Sequence, residues 1–188
     1  MNYGIYKDAR NAAWQCLIDF NVRSLPVLVS KIANAADITI IKNSEVNHLN
    51  LGESGKTIVQ NGKFYIIYNN AENSRRCRFT IAHELGHIFL GHLLINVPKY
   101  RTFAILDDNE SAANVFARDL LAPACVLHEL HAISAADIAN ICNISLEAAT
   151  YREKRMRELE SRNAWYLSPL EKDVREQFDE FIESKRAE

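Results

Sequence analysis

The chain has 188 residues, 48% of them apolar, and a formal net charge of −2. That length suits one domain with a sizeable core and at most a small appendage, and the near-neutral balance gives no global attraction to nucleic acid or an anionic membrane. No apolar run approaches a membrane span, the N-terminus lacks a basic region followed by an apolar stretch, and the four cysteines (Cys16, Cys77, Cys125, Cys142) have no CxxC spacing, so a cytoplasmic chain with reduced thiols is expected.

In chain order, Ala12, Ala13, Cys16, Leu17 and Phe20 recur at helical spacing and predict an amphipathic helix over 6–20. LPVLVSKIANAAD (25–37) predicts a second helix with Pro26 near its first turn. ITIIK (38–42) is short and β-branched, hence a strand, and the polar stretch 43–57, with Gly52 and Gly55, reads as a loop. GKFYIIYNN (62–70) is the strongest strand signal, with Phe64, Ile66 and Tyr68 on one face and Tyr65 and Ile67 on the other. A helix follows over 75–90, ended by Gly91. Residues 93–106, with Pro98, read as irregular. A further helix over 107–123 opens on cap-like Asp and Asn and stops at Pro123.

The segment 134–159 predicts two helices joined by a turn at Asn143–Ser145, and Leu170, Val174, Phe178 and Ile182, spaced by four with charges between them, predict a surface-packed terminal helix. The expected class is α+β, mostly helical with a small β-sheet. The expected division is a core over 1–130, a helix-turn-helix-like segment over 131–165 and a terminal amphipathic helix over 166–188.

The stretch RFTIAHELGHIFLGH (78–92) concentrates three of the six histidines. His83 and His87 are four apart, so a helix places both imidazoles on one face, one turn apart, where both can reach one ion. Glu84 lies about 100° around the helix from His83. It is badly placed as a ligand but able to reach a water held by the metal, so H-E-x-x-H reads as two zinc ligands and a general base. Phe79, Ala82, Leu85, Ile88 and Phe89 make this helix apolar around most of its circumference, so it is buried, and buried histidine and glutamate need partners. Gly86 lets another backbone approach.

A catalytic zinc takes three protein ligands. His92 is one candidate for the third, although the extended motif H-E-x-x-H-x-x-G-x-x-H needs Gly at 90 and His at 93, where this chain has Leu90 and Leu93. Glu110, 23 positions after His87 at the start of the next helix, is the better candidate, since a reversal can lay the two helices side by side. Asp107 and Asp108 stand nearby. Asn114, four residues on and on the same face as Glu110, could accept from the outer ring N–H of a bound histidine.

These two blocks, RFTIAHELGHIFLGH and ESAANVFARDLLAP (110–123), resemble the ImmA/IrrE family of metallopeptidases, whose paired motifs read approximately R-F-T-x-A-H-E-x-G-H and E-x-E-A-N-x-F-A-x-x-L-L-x-P. The likeness extends in order and layout over about residues 20–160. Ala112 departs from it, where the family often has a second glutamate. The resemblance implies a zincin-like metallopeptidase core with His83, His87 and Glu110 on zinc and Glu84 as base. It also implies an intracellular protein, often encoded by phages and mobile elements, that cleaves a partner transcriptional repressor.

The expected chemistry is peptide hydrolysis, with zinc activating a water and Glu84 passing its proton to the leaving amine. Tyr65, Tyr68, Tyr100, His92 and Arg101 are candidates to stabilise the oxyanion. The strand Lys63–Asn69 could pair with an extended peptide if one of its edges is open. Arg75, Arg76 and Arg78 crowd a helix N-terminus as a solvated cluster or a contact for an acidic substrate segment. A competing reading is a non-peptidase transcriptional regulator, in which the H-E-x-x-H site is structural and the C-terminal helices bind DNA or a partner, with Arg152, Lys154 and Arg155 on the second of them. Glu147 and Glu153 oppose DNA contact.

Overall fold

The computed structural model describes residues 3–93 and 103–187, with side chains placed over 4–93 and 108–187. The chain divides into two compact units, Met1–Ala12 with Val29–Ala117, and Ala13–Leu28 with Arg118–Glu188. Among the described residues helices predominate over one three-stranded sheet, the α+β class expected. No helix among them is long and apolar enough to cross a membrane.

The first unit holds the start of α1 (Tyr3–Asp19), then α2 (Val29–Ala35), β1 (Thr39–Lys42), α3 (Asn43–Val46), β2 (Gly55–Gln60), β3 (Lys63–Tyr68), α4 (Ser74–Phe89) and most of α5 (Phe103–Leu121). The sheet order is β1-β3-β2, with β1 parallel to β3 (Ile40 opposite Ile66) and β2 antiparallel to it (Thr57 opposite Ile66). The strand expected at Lys63–Asn69 is therefore central, its edges taken by β1 and β2. Ile66 and Ile67 are accordingly buried on its two faces.

β2 occupies part of the stretch that reads as a loop. Asn61 and Gly62 both have positive φ, 52° and 74°, the conformation a two-residue type I′ hairpin demands and that Asn-Gly adopts at little cost. The polar residues of 43–57 also conceal the short helix α3. α2 begins at Val29, so Pro26 precedes the helix instead of sitting in its first turn. α4 packs on β2 and β3. Asn73 caps it, its side chain accepting from the Arg76 N–H.

Of the expected irregular stretch, residues 94–102, with Pro98, lie outside the described residues, and from Phe103 the chain is helical. α5 thus starts earlier than the cap-like Asp107–Asn109 suggests. Glu110 stands about two turns inside the helix, because the preceding Phe-Ala-Ile-Leu is compatible with helix and overrides the capping signal.

The second unit contains α6 (Ala124–Glu129), α7 (Ala135–Cys142), α8 (Leu146–Ser161), α9 (Pro169–Gln177) and α10 (Asp179–Arg186). α6 starts directly after Pro123, which ends one helix and precedes the next. α7 and α8 are the expected pair, joined through Asn143 in the left-handed region (φ 50°) and capped by Ser134 and Ser145. The single terminal helix expected after residue 166 is two, broken at Phe178, although Val174, Phe178 and Ile182 are all buried as their spacing implies.

Arg152 is 1% exposed and does not face solvent as a DNA contact would. It donates to Asp119 Oδ1 at 2.9 Å and to the Ala122 carbonyl. Asp119 also accepts from Arg118 at 2.8 Å.

Candidate metal centre

α4 carries His83 and His87 one turn apart, and α5 runs beside it at the level of Gly86. A Cβ at position 86 would sit 3.2 Å from both the Cα and the carbonyl oxygen of Ala113 and 3.1 Å from the Phe116 ring, so a side chain there would force the helices apart. The Phe89 and Phe116 rings stack along the same contact, 6.0 Å apart. This close approach carries Glu110 to the two imidazoles.

The Nε2 atoms of His83 and His87 are 3.1 Å apart, Glu110 Oε2 is 3.2 Å from His83 Nε2, and Glu110 Oε1 is 3.3 Å from His87 Nε2. Donors bound to one tetrahedral zinc at about 2.0–2.1 Å lie about 3.3–3.4 Å from one another, so the triangle has the dimensions and the nitrogen–oxygen chemistry such an ion requires. Among the described residues this is the one group of three or more His, Cys, Asp or Glu side chains placed to hold a metal.

The surroundings suit neutral donors. Burial first, then the neighbouring His83, lowers His87 to about 4, so its lone pair is available at neutral pH. Asn114 Oδ1 lies 3.0 Å from His83 Nδ1, on the side of the ring away from the cluster. His92 does not join the triangle: its Nδ1 lies 3.0 Å from His87 Nδ1, behind that ring. Glu84 is 8% exposed, and burial raises its carboxyl above the ordinary range against the opposing pull of Thr57 and His83. The Thr57 hydroxyl donates to Glu84 Oε2 at 2.7 Å.

A cleft of about 660 Å³ opens over these groups. Its walls include Gly55, Lys56 and Thr57 of β2, Arg76 and Phe79 of α4, and Asn109 and Asn114 of α5. No tyrosine is among its described lining residues. Tyr65 is not in its walls, and Tyr68 lines a separate concavity with Ser30 and Asn34. Tyr100 and Arg101 lie outside the described residues, as does the side chain of Asp107, and Asp108 does not line the cleft. Of the three arginines, Arg76 reaches the cleft, donating to Ser54 Oγ (3.2 Å) and pairing with Glu72 (3.6 Å). Ala112 is buried in an apolar cluster with Ala9 and Val115, which gives a glutamate carboxylate no polar partner there.

Thr57 and the β2 edge are the functional features the sequence reading missed. The signal was the Asn61-Gly62 turn, which turns TIVQ into the antiparallel partner of KFYIIY and so aims Thr57 at α4. Gly55 matters at the same contact, since a Cβ there would sit 2.4 Å from Thr80 Cγ2 on α4.

The family model described as IrrE N-terminal-like domain, of the peptidase class M78, matches residues 35–154, a span that includes both motif helices, the whole sheet and the α7–α8 pair. No curated protein matches the chain.

Proposed function

The chain belongs to the M78 peptidase family of IrrE N-terminal-like domains and has its mostly helical, zincin-like α+β core, and from that premise we propose that it is a cytoplasmic zinc-dependent endopeptidase that cleaves a partner regulatory protein, a helix-turn-helix transcriptional repressor. The observation that carries this reading is the triangle of His83 Nε2, His87 Nε2 and the Glu110 carboxylate beside a buried, hydroxyl-tethered Glu84. His83, His87 and Glu110 would hold the ion, which when bound supplies a Lewis acid and brings the pKa of a water toward neutrality.

Glu84 accepts the proton of the attacking water and returns it to the leaving amine. Its raised carboxyl pKa makes it a stronger base than an ordinary surface glutamate. Thr57 occupies Oε2 and fixes the carboxylate's rotation, leaving Oε1 for that proton. Asn114 accepts from His83 Nδ1–H and so holds the ring with Nε2 toward the ion. β2 is an edge strand whose residues Gly55–Thr57 wall the cleft, and an extended substrate segment would pair along it.

The test is co-expression with candidate helix-turn-helix repressors, beginning with any that a neighbouring gene encodes. The parent protein is expected to cleave one of them and to carry about one zinc per chain. Glu84→Gln is expected to keep the zinc and lose at least about a hundredfold in cleavage rate. Cleavage by Glu84→Gln at the parental rate would sink the mechanism.

A further inference from the structure

We infer that His92 is a positioning residue, the hydrogen-bond acceptor that fixes the ring of His87 for metal binding, and not a third histidine ligand. The inference rests on the metal reading above and adds a residue to it. His87 presents Nε2 to the cluster, 3.1 Å from His83 Nε2 and 3.3 Å from Glu110 Oε1. An imidazole that gives its Nε2 lone pair to a cation must carry its remaining proton on Nδ1. That Nδ1 lies 3.0 Å from Nδ1 of His92. The proton then belongs to His87, His92 accepts through Nδ1, and its own proton sits on Nε2. The two rings have centroids 5.0 Å apart and planes at 70°, a separation compatible with an in-plane donor directed at an in-plane lone pair.

The backbone fixes the same pairing independently. α4 ends in a Schellman motif. Gly91 takes φ 70°, its N–H donates to the Ile88 carbonyl at 3.0 Å, and the His92 N–H donates to the carbonyl of His87 itself at 3.0 Å. His92 is thereby clasped to His87 at both backbone and ring. The sequence G-H after the H-E-x-x-H helix is what this needs: a residue free to adopt positive φ, then a side chain with an aromatic nitrogen acceptor. His83 has its matching acceptor in Asn114, so each imidazole is backed by one neutral acceptor. The position also accounts for the failed register of the extended three-histidine motif, since His92 reaches the rear of a ligand ring and not the ion.

The experiment measures zinc affinity by chelator competition on the full chain, with no substrate involved, for the parent, His92→Phe and His92→Gln. Phe keeps an aromatic ring without an acceptor, and the Gln carbonyl restores one. His92→Phe is expected to weaken zinc binding about 10- to 100-fold, and His92→Gln to recover most of that loss. Thermal melts of the zinc-free proteins check that the fold is unchanged, and His92→Leu replaces the Phe variant if that one melts early. Parental affinity in both variants lacking an acceptor overturns the inference while leaving the metal site standing. Equal losses in Phe and Gln variants also overturn it, since a direct ligand would behave so. A parent chain that binds no zinc removes the metal reading itself, and this inference with it.

Discussion

Replacing Arg152 tests whether the second unit is held by a buried ion pair. Arg152 and Asp119 side chains are 1% and 3% exposed and 2.9 Å apart, and the guanidinium also satisfies the Ala122 carbonyl. Burial pushes the Asp119 carboxyl up, but Arg152 and Arg118 together outweigh it and hold the group below the ordinary carboxylate range, so it is ionised at neutral pH. Removing one partner of such a pair leaves a buried charge without its counterion and costs about 3–5 kcal/mol. The two partners are not equivalent. Arg152→Met leaves Asp119 its 2.8 Å bond to Arg118 and belongs at the lower end. Asp119→Leu strands a fully buried guanidinium, whereas Arg118, about a third exposed, can turn toward water, so this change belongs at the upper end. The double replacement is expected to cost less than Asp119→Leu alone, because no buried charge is left over.

Urea denaturation at pH 7 measures the three variants, and for a chain of this size the Arg152→Met cost corresponds to a melting shift of roughly 6–12 °C. The sign of the pH dependence follows from the lowered native value of Asp119. Its contribution is complete above the unfolded value of about 3.9 and is lost as pH falls through the native one. An acid slope below about pH 4 is therefore expected in the parent and reduced in Asp119→Leu. A loss under about 1 kcal/mol for Arg152→Met, in the range of an exposed pair, would refute the assignment of this pair as a structural linchpin.

Asn114→Ala is expected to weaken zinc binding about 10- to 100-fold with Asn114→Asp, which keeps an acceptor, losing less; chelator competition reads both. Gly62→Val places a β-branched residue at φ 74° in the hairpin turn and is expected to cost at least about 1–2 kcal/mol, measured by urea denaturation. Burial, with Asp19 adding to it, pushes the Cys16 thiol to about 12, and burial, with Glu171 adding to it, does the same to Cys125, so at pH 8 about one in ten thousand of each is thiolate. Thiol labelling followed by mass spectrometry is expected to modify half-buried Cys77 first and these two only on unfolding.

The parts of the site most legible in the sequence were those carried by helical spacing alone. The four-residue step from His83 to His87, and the step from Glu110 to Asn114, each define one face of a helix wherever the helix lies. Less legible was whatever depended on another element's position. Thr57 reaches Glu84 only because the Asn61-Gly62 turn folds β2 back along β3, and a polar stretch with two glycines hides that strand. β3 has the strongest strand pattern because it is central and buried on both faces, which is also why it is not the edge a peptide could use. Gly86 announced a close approach, and Ala113 is the backbone that makes it. His92 was visible as a residue out of register, but its partner depended on how Gly91 turns the chain.

The same distinction decides how much weight α8 gives to a DNA-binding role. Read as composition, Arg152, Lys154, Arg155 and Arg157 make a basic helix. Read as a wheel, Ala149, Arg152 and Met156 stand at positions i, i+3 and i+7 and form one stripe, the stripe that is buried. Arg152 therefore lies on the core side by the same periodicity that identifies the helix, and its burial requires an anion, which Asp119 provides. Arg155 and Arg157 are occupied on the helix itself, by Glu158 at 2.8 Å and Glu153 at 2.6 Å. The large hydrophobic side chains that α8 exposes are Leu146 and Tyr151, at 61% and 68%. Non-specific phosphate binding scales with the number of free cations presented on one face. A helix whose arginines are paired or buried offers few of them, so the charge of α8 gives little support to a DNA-binding reading of the α7–α8 pair.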